Sequence, residues 1–250
     1  RRPEFADAYT YANAMNEAFV NDGKSPKYSA LELNAFQSGK YPSLYPNVNW
    51  IKECFKDVGA SNIFNLSFRG GGTRMRYYTL INLQDNQGFV ANPNMNDGYS
   101  TQNKYSKANF RTNLDIDLTN TTKVLVNIDG TLLETLRPGL SSDNLWDKIY
   151  TVPAASFPIK TESGLWGGNA TWDGYSNPVA LTEGRAYSKA HTRALFADLT
   201  LNQDLSAVTK GLSAWTRLAY DNISAYWENH TREYKFGSDA VSEWTNGEPS

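Results

Sequence analysis

Hydrophobic positions along the chain change their period once, near residue 60. Before that point the period is helical. Ala8, Ala12, Met15 and Phe19 fall at i, i+4, i+7 and i+11, which puts them on one face of a helix predicted from Phe5 to Val20. Asn21-Asp22-Gly23 supplies its stop, with Gly23 free to take a positive φ. Ser29 followed by Glu32 is a capping box that opens a second helix, ending before Gly39. A third is predicted between Asn47 and Asp57, closed by Gly59, with Pro42 and Pro46 separating it from the second. After Ala60 the period becomes two. Phe64, Leu66 and Phe68 alternate with Asn65, Ser67 and Arg69. Phe110, Thr112, Leu114, Ile116 and Leu118 share one strand face, and Asn109, Arg111, Asn113, Asp115 and Asp117 the other. Val124, Val126, Ile128 and Leu132 oppose Lys123, Asn127, Asp129 and Thr131, and Leu195, Ala197, Leu199 and Leu201 oppose Asp198, Thr200 and Asn202. A last strand begins near Leu212 and runs past Tyr220.

The connections separate two architectures that the strands alone leave open. Short turns at 70–73, 119–122 and 207–211 alternate with long links over about 88–107 and about 137–190. Short turns at one end and long loops at the other match an outer-membrane β-barrel, whose apolar face meets lipid and whose polar face lines the lumen. The rival is a secreted carbohydrate-binding β-sandwich, which seldom carries a structureless link that long. The predicted organisation is therefore a helical link over 1–59, then barrel strands with long extracellular loops over 60–250. The expected fold class is all-β: antiparallel transmembrane β-barrel strands, with helical segments in the first long link.

Composition narrows the chemistry. With 24 basic and 26 acidic residues the net charge is −2, which lacks the electrostatic footprint of a nucleic-acid binder. No apolar run is long enough for a transmembrane helix, which leaves strand crossing untouched. One cysteine, Cys54, and two histidines, His191 and His230, supply neither a disulfide nor a metal set, and no cofactor is expected. Asp115, Asp117, Asp129 and Asp198 recur on one polar face among Asn, Thr and Lys, so lumen lining by Asn109, Arg111, Asn113 and these four accounts for them better than a glycosidase acid pair. No catalytic residue is expected. Asn92 to Gly98 carries alternating oxygen ligands like a calcium loop, but position twelve is Asn103 where a bidentate Glu is needed. Trp166, Trp172 and Tyr175 in the longest link, with Tyr99 in the other, are candidates for contact with ligand or with a lid protein. The start at Arg1-Arg2-Pro3 shows no secretory signal, and the chain reads as an interior piece of a longer one.

Several passages carry a family likeness. Pro3 to Ala12, continuing to Asn16-Glu17-Ala18, resembles a "DAYxYAxxxNEA" passage, and Tyr45-Pro46-Asn47-Val48-Asn49-Trp50 resembles "YPNVDW". Asn65-Leu66-Ser67, Gly70-Gly71, Tyr77-Tyr78 and Gln87-Gly88 follow a spaced "NLS…GG…YY…xxG" pattern, and Arg111-Thr112-Asn113-Leu114-Asp115 is like "R-x-N-(L/F)-D". In order and spacing, over residues 3–118, the chain resembles the RagA/SusC family of TonB-dependent outer-membrane transporters of Bacteroidetes. The resemblance implies a barrel of about 22 strands around an N-terminal plug, in the bacterial outer membrane. It also implies import of glycans or peptides, a SusD-like surface lipoprotein as lid, and energy from the TonB complex. The plug and TonB box are expected to lie outside this sequence.

Overall fold

The computed structural model describes residues 3–94, 99–139 and 142–249. Helix α1 (Ala8–Asn21) starts where the Asp7 carboxylate accepts the Thr10 N–H at 2.7 Å and stops before Gly23, whose φ is +72°. Ala8 and Ala12 are fully buried, while Met15 and Phe19 on the same face are half-buried. In α2 (Ala30–Ser38) both halves of the capping box form, Ser29 accepting from Glu32 N–H and Glu32 accepting from Ser29 N–H, and Gly39 closes it at φ +64°. The third predicted helix shortens to α3 (Trp50–Cys54), capped by Asn49.

Six long strands form one antiparallel sheet: β1 (Ser61–Gly71), β2 (Met75–Gln87), β3 (Lys104–Asp117), β4 (Thr122–Pro138), and, beyond the second long link, β6 (Tyr187–Asp204) and β7 (Ser213–Asn229). They pair in chain order, each with the next, as a meander. The second link holds α4 (Ser142–Thr151), the two-residue β5 (Trp166–Gly167), a 3-10 turn at Gly174–Ser176, and α5 (Pro178–Glu183). After β7 come β8 (Phe236–Gly237), paired parallel to β5, and the small hairpin of β9 (Trp244–Thr245) and β10 (Glu248–Pro249). The sheet does not close on itself; β1 and β7 are its edges, with no strand beyond either among the described residues.

Two differences from the sequence pattern have one cause each. β3 begins at Lys104 and β6 at Tyr187, earlier than alternation predicts, because Lys104–Lys107 and Tyr187–Thr192 are polar or mixed on both faces. The second link is not structureless either. α5 is buried at every position from Pro178 to Glu183, so it shows no amphipathic stripe by which to find it.

The apolar core lies in the links, not between sheets. One cluster joins Trp50, Ile51 and Cys54 of α3 to Leu145 and Ile149 of α4, Phe157, and Val179 and Leu181 of α5. A second joins Ala8, Ala12, Ala35, Phe36 and Tyr45, with Val241 and Trp244 packed against it. The helical segment before β1, the second long link and the last segment thus form a cap beside one end of the sheet, which the first long link joins through Val90 and Asn92. Two of the passages that carry the family likeness, within residues 3–18 and 45–50, do structural work in that cap. Tyr45 packs edge-on against Phe36 at 5.2 Å and against Trp244 at 5.6 Å, Asn47 accepts the Ala8 N–H at 3.0 Å, and Trp50 meets Phe157 at 5.4 Å.

Candidate functional site

Directly opposed residues of an antiparallel pair share a face, so the register of the five pairings fixes both faces of the large sheet. One face carries the rows Gly70–Tyr77–Leu114–Val126–Leu199–Leu218, Phe68–Thr79–Thr112–Ile128–Ala197–Tyr220 and Leu66–Ile81–Phe110–Gly130–Leu195–Asn222. Nothing among the described residues covers this face: Phe64, Phe68, Leu83, Phe110, Leu132 and Leu218 all remain exposed. On β3 the band runs from Ala108 to Ile116, about 27 Å of strand at ~3.4 Å per residue. At the tilt usual for membrane barrels that spans about 20 Å, near the ~25 Å apolar band of such barrels.

Toward the long-link end the same face turns polar. Beyond the row Phe64–Leu83–Ala108–Leu132–Arg193–Ser224 come Asn62–Asp85–Ser106–Glu134–His191–Tyr226 and Gln87–Lys104–Leu136–Lys189–Glu228. Lys104 lies 3.3 Å from Asp85, and Glu134 is held by Lys189 at 3.3 Å and His191 at 3.4 Å. Tyr187 stacks on His230 at 4.6 Å, and both bond to Glu228. This belt of ionic and aromatic side chains was not visible in the sequence, where His191 and His230 stand alone; strand register is what assembles it.

The opposite face gathers every residue assigned to the lumen from the sequence. Asn109, Arg111, Asn113, Asp115 and Asp117 of β3 align with Asp129 of β4 and Asp198 of β6. Their charges cross between strands. The Arg111 guanidinium reaches Asp129 at 2.7 Å and Asn109 donates to Thr131 at 2.9 Å. Arg76 meets Asp115 at 2.9 Å, and Lys123 sits 3.6 Å from both Asp115 and Asp117. Asp198 accepts from Asn127 at 3.1 Å and pairs with Arg217 at 3.2 Å. Leu80, Leu125, Phe196 and Ile223 interrupt this face, so it is mixed rather than wholly hydrophilic. Asp115, Asp117, Asp129 and Asp198 are thus each matched to a cation or amide on a neighbouring strand.

The four aromatic candidates separate. Trp166 and Trp172 turn into the cap, half-buried against its first cluster, with Lys160 lying 4.6 Å over the Trp166 ring. Tyr175 stays exposed beneath the Arg185 guanidinium at 5.3 Å. Tyr99 is brought to the belt on the apolar side, stacked on Tyr187 at 5.0 Å, and not to the polar face. In the loop that resembles a calcium site, Met95 to Gly98 lie outside the described residues.

The cap is held by buried polar groups. Asn177, fully buried, donates to the carbonyls of Ile159 and Gly167 at 3.0 Å each and accepts the Ala180 N–H at the start of α5. Gln102 pairs through its side-chain amide with both backbone groups of Val90. The Glu183 carboxylate accepts from Asn92 at 2.9 Å, linking the two long links, and burial pushes its pKa above the usual carboxylate value. Burial also pushes the Cys54 thiol well above its ordinary range, which keeps it protonated and unreactive. Among the described residues no group of His, Cys, Asp or Glu is placed to hold a metal ion, and no helix is long and apolar enough to cross a membrane. No family model matches the chain, and no curated protein matches it.

Proposed function

We propose that this chain forms part of the wall of a TonB-dependent outer-membrane importer of the SusC type, carrying glycans or peptides inward beneath a SusD-like lipoprotein lid. The reading gives the chain no catalytic role. Its apolar face meets outer-membrane lipid, its polar face lines the conduit, and its capped long links stand on the cell surface. TonB would act through parts of the protein beyond this sequence.

One observation carries the reading: the strand register puts an uncovered apolar band across six strands, bounded at the long-link end by an ionic belt. A single sheet with that much exposed Phe, Leu and Ile is stable in lipid and unstable in water. A carbohydrate-binding sandwich would bury the band under a second sheet about 10 Å away. Among the described residues, the strands outside the large sheet are two residues long each. The motif resemblance over residues 3–118 supplies the choice of family, and the alternation of short turns with long, capped links agrees with it.

The test is fractionation of the native source, with peptide mass analysis of the species that carries this sequence. The expected outcome is an outer-membrane protein much larger than 28.0 kDa, recovered together with a lipoprotein. Recovery as a soluble 28.0 kDa species would overturn the membrane reading in favour of the sandwich.

A further inference from the structure

The apolar band is not smooth. Gly130 sits in the row between Phe110 and Leu195, and Ala108 in the next row beside Leu132. Together they leave a notch walled by Ile81, Leu83, Phe110, Leu132 and Leu195, with a volume of about 480 Å³. A Cβ placed on Gly130 meets no atom nearer than the Phe110 carbonyl oxygen at 4.0 Å, so the notch is open space and not a close approach of two backbones. Toward the long-link end the notch runs on into a hollow of about 690 Å³, sharing Leu83, Ala108, Leu132 and Arg193 with it. The hollow is lined further by Asp85, Lys104, Glu134 and His191 of the belt.

Charge decides what fits. Asp85 and Glu134 are already engaged by Lys104, Lys189 and His191. Arg193, at the junction of the two hollows, stands exposed between Leu132 and Ser224 in its row, with no ion pair or hydrogen bond among the described residues. An unpaired guanidinium at the margin of an apolar surface favours an anion, and its fork matches phosphate oxygens two at a time. We propose that this groove binds one phosphorylated, acylated lipid of the surrounding leaflet, with an acyl chain in the notch over Gly130 and Ala108 and the phosphate on Arg193. The inference rests on the membrane reading above. The order of the two hollows matches an amphiphile end for end: the apolar one lies toward the middle of the band, and the one bearing the cation lies at its margin.

The test uses the full-length protein extracted from its own membrane in mild detergent, with retained lipid counted by native mass spectrometry. Wild type is expected to keep one phosphate-bearing lipid per chain. Arg193→Gln removes the charge-assisted contact and is expected to lower the retained fraction about ten-fold. Gly130→Val fills the notch. Gly130 is not in the left-handed region and β-branched residues suit a strand, so this variant is expected to assemble normally and lose the lipid as well. Leu201→Val, at the turn end of the same face, is expected to leave lipid retention unchanged. Equal retention by wild type and both groove variants, a retained lipid without phosphate, or a polypeptide in its place would each overturn the groove proposal while the protein remains in the membrane. Recovery of the full-length protein from the soluble fraction would instead overturn the membrane reading, and the proposal with it.

Discussion

Glu183 and Asn92 show how single side chains tie the cap together. The carboxylate is buried at the end of α5 and accepts one hydrogen bond from the Asn92 amide across the two long links. Burial is the leading cause of its raised pKa, with repulsion from Glu53 adding to it and the Asn92 bond and Lys160 working against it. The sign follows. A carboxyl group whose folded pKa lies above its unfolded value favours the native state most when protonated, so this contribution is full below the unfolded value of about 4.3 and is lost as pH rises through the raised one. Glu183→Gln keeps an oxygen for Asn92 and removes the charge. The variant's cap is expected to melt later than wild type near neutral pH, with the gap closing as pH falls to about 4. Tryptophan fluorescence melts between about pH 4 and pH 8 would read this from Trp50, Trp166 and Trp172 of the first cluster. A gap that did not change with pH would show that the charge is not what burial penalises. Asn177 acts in the same cap as the N-cap of α5, where Asn followed by Pro178 is a helix-start signal in the sequence, whereas Glu183 belongs to no spacing that a sequence pattern would single out.

At the scale of elements, what was legible followed the physics of periodicity. The helix stops at Gly23 and Gly39 and the Ser29–Glu32 box rest on interactions between near neighbours, and the middles of the central strands show as a local alternation; each is found where the pattern placed it. That Asn109, Arg111, Asn113, Asp115 and Asp117 share one face was legible for the same reason, because a period of two assigns alternate residues to one side before any partner is known. The strand extensions at Lys104 and Tyr187, α5, and the belt of Glu134, Lys189, His191 and Glu228 were not. They depend on register between strands distant in sequence, or on burial from all sides, and neither leaves a periodic trace. The same register yields a paired test of what each face touches. Ile128 lies in the middle row of the apolar band, while its neighbour Asn127 faces Asp198 on the polar side. Ile128→Arg is expected to cost about 2–4 kcal/mol when the protein is unfolded from lipid vesicles, the penalty for a cation near the bilayer midplane. Asn127→Arg, with Asp198 in reach, is expected to be nearly neutral. Similar costs for the two would mean that the apolar face does not meet lipid.

For the whole molecule the open question is closure, because an unpaired strand edge in lipid leaves backbone groups without partners, at several kcal/mol per group. The outer edge of β7 makes this testable. His230 donates to Tyr187 O and Leu205 donates to Leu212 O, which fixes the alternation: even-numbered residues of β7 bond to β6, and odd-numbered ones point their N–H and C=O groups outward. Ala219 is one of the outward positions, and its small side chain lies on the polar face opposite Asp198. Proline there deletes a donor that a true edge leaves to solvent, and edges tolerate such a proline. In a closed barrel the same donor bonds to the next strand. Ala219→Pro in the full-length protein is therefore expected to block barrel assembly about as strongly as Leu218→Pro, which breaks a bond to β6 in either architecture. Protease resistance of the protein in isolated outer membranes is the readout. If Ala219→Pro assembles like wild type while Leu218→Pro fails, β7 is a free edge and the sheet serves some other structure. If both fail, another strand pairs with β7, and the six strands described are one sector of a closed wall.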